Sequence, residues 1–191
     1  MKKAIVVAGM FLFVFVSISA YAAEKASLGA GHLAVKLGYI EFTNGDLGDA
    51  DVDKALYIGL EGYTQLVPQL YLGLEAGYAH PEGEIGPYDT ELTYVPVELN
   101  AKYALPISPY LVVDLGAGIS YNYSEFEISD GLGSDSTDDW VFGGQFFVDV
   151  NYMFEKIFIG FNGKYQITEE FKHDDFELSN WRLGGQIGYM F

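Results

Sequence analysis

Three histidines and no cysteine bound the chemistry open to this 191-residue chain. Without Cys there is no thiol nucleophile, no disulfide and no thiolate metal site. A serine hydrolase needs a His placed between an acid and a hydroxyl. His173 lies in FKHDD beside Asp174 and Asp175, and Ser179 or Ser124 could supply the hydroxyl. Three such residue types are found in most chains of this size, however. Neither an H-x-S run nor a G-x-S-x-G elbow is present, so no enzyme is indicated. His80, before Pro81, opens a polar stretch. A second set is more orderly: His32, Lys36, Glu61, Glu75, Glu98, Lys102, Asp114, Asp149, Lys164 and Arg182 each sit between apolar residues or glycine. They comprise four firm cations, five carboxylates and one His. Near-balance of charge in an apolar setting implies paired, hydrogen-bonded groups, because an unpaired buried charge is costly.

A third set is acidic. There are 27 Asp and Glu against 10 Lys and Arg, for a net charge of −17. Nucleic acid is therefore not an expected partner, since phosphate binding needs a basic surface. Some 19 of these carboxylates fall in or beside four polar stretches, so the charge belongs to one region of the fold. Asp46, Asp49, Asp51 and Asp53 in one stretch, and Asp135, Asp138 and Asp139 in another, are oxygen ligands of the kind Ca²⁺ or Mg²⁺ takes. Such ions could bridge to outside phosphate groups. Asp49, Asp51 and Asp53 have the first three spacings of a calcium loop. Lys54 stands where its Gly should be and Leu60 where its bidentate Glu should be, so this is not an EF-hand. No firm metal site and no cofactor is expected. A solvated, mutually repelling surface is the favoured reading of these acids.

The elements that position these residues follow from a period of two. In Asn180–Phe191, Trp181, Leu183, Ile187, Tyr189 and Phe191 alternate with Arg182, Gly184, Gln186, Gly188 and Met190. Alternation puts the two sets on opposite faces of a β-strand. Seven more stretches alternate likewise: Gly31–Phe42, Ala55–Thr64, Leu70–Ala79, Leu92–Ala104, Tyr110–Glu125, Trp140–Phe154 and Ile157–Ile167. Each is near the ~9–11 residues a tilted strand needs to cross hydrocarbon. The four cations and five carboxylates all share the less apolar face, with His32. On the same face Gly59, Gly73, Gly116, Gly118, Gly160 and Gly184 leave room for Tyr57, Tyr71, Phe147 and Phe158. Short connections (65–69, 105–109, 154–156) alternate with long polar ones (43–54, 80–91, 126–139, 168–176). The fold class is all-β: an eight-stranded antiparallel up-and-down transmembrane β-barrel. Eight strands enclose a space that side chains fill, so a plugged polar lumen is expected. Lys36 and Glu61 lie equally far below the first long connection and should pair. Glu61 and Glu75 should face each other across a hairpin. Trp140, Phe142, Tyr123 and Trp181 should form one aromatic rim; Tyr103, Tyr152, Phe154, Tyr189 and Phe191 should form the other.

The N-terminus reads as a targeting segment. Lys2 and Lys3 precede the apolar run Ala4–Val16, and Ala20-Tyr21-Ala22 supplies small residues around a cleavage site. Residues 1–22 are then a secretory signal peptide and residues 23–191 the barrel. Losing Lys2 and Lys3 would take the charge from −17 to −19.

Two stretches carry a resemblance. The ending through Gly185, Ile187, Tyr189 and Phe191 resembles the signal by which the barrel-assembly machinery takes in its substrates. The segment VPVELNAKYALPISPYLVVDLGAGISY, Val95 to Tyr121, resembles the fourth-strand, turn and fifth-strand signature of small outer-membrane barrels of the OmpA/OmpX and opacity-protein type. That resemblance implies an integral protein of a Gram-negative outer membrane, with membrane lipid and lipopolysaccharide as neighbours; the alternation of short and long connections would then put the short turns and both termini in the periplasm. It is weak for activity. The reading adopted is a non-enzymatic barrel with a structural or surface-interaction role exercised by its acidic loops. A narrow channel for small, hydrophobic solutes, as in OmpW-like barrels, is the first alternative, and a lipid A-modifying enzyme the second.

Overall fold

The alternating stretches form strands and the strands close into a ring. The computed structural model describes residues 26–129, 133–170 and 177–191. Residues 1–22, with Ala20 and Ala22, and His173, Asp174 and Asp175 lie outside the described residues. Along the chain come β1 (Gly31–Phe42), α1 (Gly45–Asp49), β2 (Lys54–Val67), β3 (Leu70–Ala79), β4 (Glu82–Ile85), β5 (Tyr88–Ser108), β6 (Leu111–Ser129), β7 (Ser134–Phe154), β8 (Ile157–Thr168) and β9 (Asn180–Met190). Each strand pairs antiparallel with its neighbours. β1 joins β9, and β3 joins β5 from Leu70↔Tyr103 to Ala79↔Tyr94, which completes the circle.

The ring has eight staves, but the third is made of two strands. It breaks at His80–Pro81 and resumes as β4, which pairs with β5 alone. Pro81 has no N–H to give a ladder, so the stave leaves the ring there.

Two expected loops are largely strand. Residues 126–129 and 134–139 extend β6 and β7, which stay paired as far as Ser129↔Ser134. Asp135, Asp138 and Asp139 are therefore strand residues. Residues 80–91 are largely the β4–β5 hairpin. In both places the strand simply continues past the apolar band, where water rather than lipid meets its outer face. The connection 43–54 holds α1, capped by Asn44, whose side chain accepts the Asp46 N–H at 2.8 Å. This segment is packed down rather than solvated: Leu47, Ala50 and Val52 are buried.

Outward residues are apolar and bare, from Leu33, Val35 and Leu37 on β1 to Leu183, Ile187 and Tyr189 on β9. A water-soluble sheet does not present a continuous apolar band of this size. Ring contacts cluster at both edges of the band. Towards the loops, Trp140 lies 4.7 Å from Tyr121 and 5.4 Å from Tyr123, and Tyr165 lies 4.2 Å from Trp181. Towards the turns, Tyr152 contacts Tyr110 at 6.1 Å and Phe154 at 4.7 Å.

The lumen is filled in three layers. At the turn end Leu28, Tyr63, Tyr71, Phe147, Phe158 and Met190 pack together. Glycine makes space for these rings: a Cβ on Gly116 would stand 2.1 Å from the Phe147 ring, and one on Gly188 would stand 2.2 Å from Phe158. At the loop end Ile40, Phe42, Leu47, Val52, Leu92 and Leu178 form an apolar lid. The charged residues lie between.

Candidate functional site

Register alone assembles the middle layer. Glu61 on β2 is directly opposite Glu75 on β3, and Glu75 is opposite Glu98 on β5. Three carboxylates thus stand in a row on one wall. Lys164 on β8 is opposite Arg182 on β9, and Lys36, opposite Gln186 on β9, comes in from β1. Like charges on directly paired positions repel, so each row is tolerable only because the other faces it across a narrow lumen.

The contacts show how this works. Lys36 Nζ lies 2.7 Å from Glu61 and 2.8 Å from Glu75. Lys164 Nζ donates to Glu75 at 2.7 Å and also to Glu98. Arg182 donates to Glu98 at 2.5 Å and to the Tyr57 hydroxyl at 3.0 Å, and Tyr57 in turn donates to Glu75 at 2.9 Å. Glu75 is therefore the hub, with two ammonium groups and a phenol on one carboxylate. Next to it, Asp114 and Asp149 are directly opposed across β6 and β7. Lys102 lies 3.0 Å from Asp114, 3.7 Å from Asp149 and 3.8 Å from Glu61, linking the two groups. Asn151 donates to Asp114 at 3.0 Å, and Asn162 donates to Asp149. Aromatic faces cover the cations: Lys102 is 4.2 Å from the Tyr63 ring centre and Arg182 is 4.9 Å from that of Tyr57.

His32 differs from its expected place as a lumen hydrogen-bonder. It is buried, and neither ring nitrogen has a hydrogen-bond partner among the described residues. It stands instead in an aromatic group, 5.2 Å from Tyr63 and 5.5 Å from both Tyr71 and Phe158. Its neighbours project from β2, β3 and β8, and a period-two reading of β1 cannot see them.

Sequence reasoning missed Tyr57 and Tyr94 as members of the network. Tyr94 donates to Gln166 at 2.6 Å and its hydroxyl lies 3.1 Å from the Asn122 Oδ1, and Asn180 and Arg182 also bond Gln166. The signal was available, because both tyrosines hold the same phase as the charged residues of their strands.

The two acidic sets stay apart. Asp46, Asp49, Asp51 and Asp53 belong to α1 and its exit; Asp135, Asp138 and Asp139 belong to β7. Asp53 pairs with Lys54 at 2.8 Å and by that hydrogen bond raises the lysine above its ordinary pKa. Among the described residues no three His, Asp or Glu gather to hold a metal ion. Ser179 accepts the Thr168 N–H at 3.1 Å and lies 3.2 Å from Glu177; among the described residues neither it nor Ser124 bonds a His. Gly185, Ile187 and Tyr189 line the outer face of β9, and the Phe191 carbonyl accepts from Ala30 at 3.0 Å and Gly31 at 3.1 Å.

A closed antiparallel ring with an apolar exterior and a salt-bridged interior defines a transmembrane β-barrel. A family model described as outer membrane protein beta-barrel domain matches residues 8–145, and the chain belongs to that family. Its location is the outer membrane. Solved structures share the fold at low identity. Neisserial surface protein A is 11% identical with a TM-score of 0.64, covering 85% of this chain and 98% of that one. A major outer membrane protein from Thermus thermophilus is 13% identical with a TM-score of 0.55, covering 85% of this chain and 100% of that one. Ail of Yersinia pestis, in complex with the heparin analogue sucrose octasulfate, is 14% identical with a TM-score of 0.53, covering 83% and 99%. A comparison with curated proteins finds no match.

Removing the hub tests the layer. Glu75→Ala leaves Lys36, Lys164 and Arg182 with one carboxylate fewer and should destabilise the refolded barrel by about 3–5 kcal/mol. Glu75→Gln keeps the shape and a carbonyl acceptor and should cost less, about 1–3 kcal/mol. Urea unfolding in detergent, followed by tryptophan fluorescence and gel mobility, reads both; equal and small losses would show that the pairs contribute little.

Proposed function

We propose that this chain is a closed, non-enzymatic outer-membrane barrel that acts through its loop-end surface. The observation that carries this reading is the lumen filled from end to end: apolar at the turns, ion-paired in the middle, apolar under α1. Nothing of substrate size can pass such an interior without dismantling it. What remains for contact with other molecules is the part of β4–β7 beyond the apolar band. The signal peptide is removed after Ala22, the termini and short turns are periplasmic, and the long connections face outward. The C-terminal strand is the element the assembly machinery engages. The channel and the lipid A-modifying enzyme are weaker readings, the first for the filled lumen and the second because the sequence has neither an H-x-S run nor a G-x-S-x-G elbow.

A second reading concerns the acids. Glu82↔Glu91, Glu84↔Asp89, Glu91↔Glu127 and Glu125↔Asp138 are directly paired positions on neighbouring strands. Such pairs are unfavourable alone and are relieved by a cation. With no cage of three ligands among the described residues, a divalent ion here would bridge the sheet to an outside phosphate, as on lipopolysaccharide.

Two measurements test these readings. With Gly45→Cys, intact cells treated with an impermeant maleimide should be labelled, whereas with Glu155→Cys they should be labelled only after the outer membrane is opened; the reverse pattern contradicts the orientation. In lipopolysaccharide vesicles, Ca²⁺ should raise the unfolding midpoint and EDTA should lower it. Glu91→Gln combined with Glu127→Gln should abolish this response; a midpoint indifferent to Ca²⁺ refutes the bridge.

A further inference from the structure

The turn-end mouth is closed by a segment that is not part of the wall. Leu28 precedes β1, yet it is fully buried inside the barrel among Tyr71, Phe158 and Met190. The chain reaches that position by a sharp turn at Gly29, whose φ is +73°, a region costly for any residue with a side chain. A Cβ there would also lie 2.8 Å from the Phe191 carbonyl oxygen. A few bonds hold the segment: Tyr71 Oη donates to the Gly29 carbonyl at 2.9 Å, Ala30 N–H donates to Phe191 at 3.0 Å, and Gln65 N–H donates to Ala30 at 2.8 Å. The loop-end lid is built differently. There α1 is tied in from both sides, through β1 and β2, and is braced by Thr90 Oγ1 on the Ala50 carbonyl at 2.8 Å.

What Leu28 covers is polar. His32 and the Tyr63 hydroxyl are buried in the same layer and have no hydrogen-bond partner among the described residues. Lys102, on the face of the Tyr63 ring, leads from them into the ion-paired layer. Burial of Leu28 favours the closed mouth, whereas solvation of His32 and Tyr63 favours an open one. These opposed terms meet at one short segment.

We propose that Ala26–Ala30 is a stopper: Leu28 seals the turn-end mouth, and withdrawal of the segment opens the ionic layer to the water at that end. This rests on the closed-lumen reading and adds a movable part to it.

The chain has no cysteine, so Ala34→Cys gives a single thiol in the turn-end layer. The refolded variant is treated with a charged methanethiosulfonate reagent, with heat-modified gel mobility confirming the folded barrel. In the Ala34→Cys parent, labelling should be slow. Adding Leu28→Asp should speed it by about tenfold or more, as local opening becomes favourable. Adding Leu47→Ser at the other mouth should not. Tyr71→Phe, which removes one tether and keeps the ring, should give a smaller rise of about threefold and serves if Leu28→Asp fails to fold. Fast labelling of the parent would overturn the closed lumen itself. A slow parent rate unmoved by both turn-end changes, or raised equally by Leu47→Ser, would overturn the stopper alone.

Discussion

Closure of the backbone ladder is the constraint from which the rest follows. In hydrocarbon an unpaired N–H or C=O has no water to turn to, so a sheet that crosses must have no free edge. Here the closing seams are β1 against β9 and β3 against β5. With eight staves the ring is narrow, and a narrow ring brings opposite walls within side-chain reach. Closure thus decides that Lys164 and Arg182 meet Glu75 and Glu98, which belong to the other side of the circle, while Lys36 reaches Glu61 on the neighbouring strand.

That arrangement exchanges one cost for another. Three glutamates in register on neighbouring strands would push those strands apart, and Lys164 opposite Arg182 would do the same. Brought together in a dry lumen, the two rows neutralise each other, and every partner lost leaves a buried charge behind. A hydrophobic filling could be equally stable. The ionic filling also fixes which strands must face each other, and hence one arrangement of the ring. The same filling blocks the bore, so the interior serves the fold and contact with other molecules moves to the ends.

Much of this was legible in the sequence because a strand repeats every two residues. The eight alternating stretches became the eight staves, and Lys36 meets Glu61 across the β1–β2 hairpin. Legibility failed where a side chain's fate depends on strands distant in sequence. His32 lies among rings from three other strands, and Tyr57 and Tyr94 join polar groups from as far away as Arg182 and Gln166. It failed again beyond the apolar band. Glu125, Phe126, Glu127 and Ile128 still alternate, but acids on the outer face read as a loop when lipid is assumed to be the only thing a barrel strand can face. The buried Leu47, Ala50 and Val52, spaced among the acids of the first long connection, are the corresponding error for the lid.

The central claim is that the lumen is shut by its own side chains, and ion flow tests it most directly. Single-channel recording of the refolded mature protein in a planar bilayer, at two salt concentrations, should show a silent membrane. Steady, reproducible steps that scale with salt would contradict the account, because ions would then have a continuous path through the layer built on Glu75.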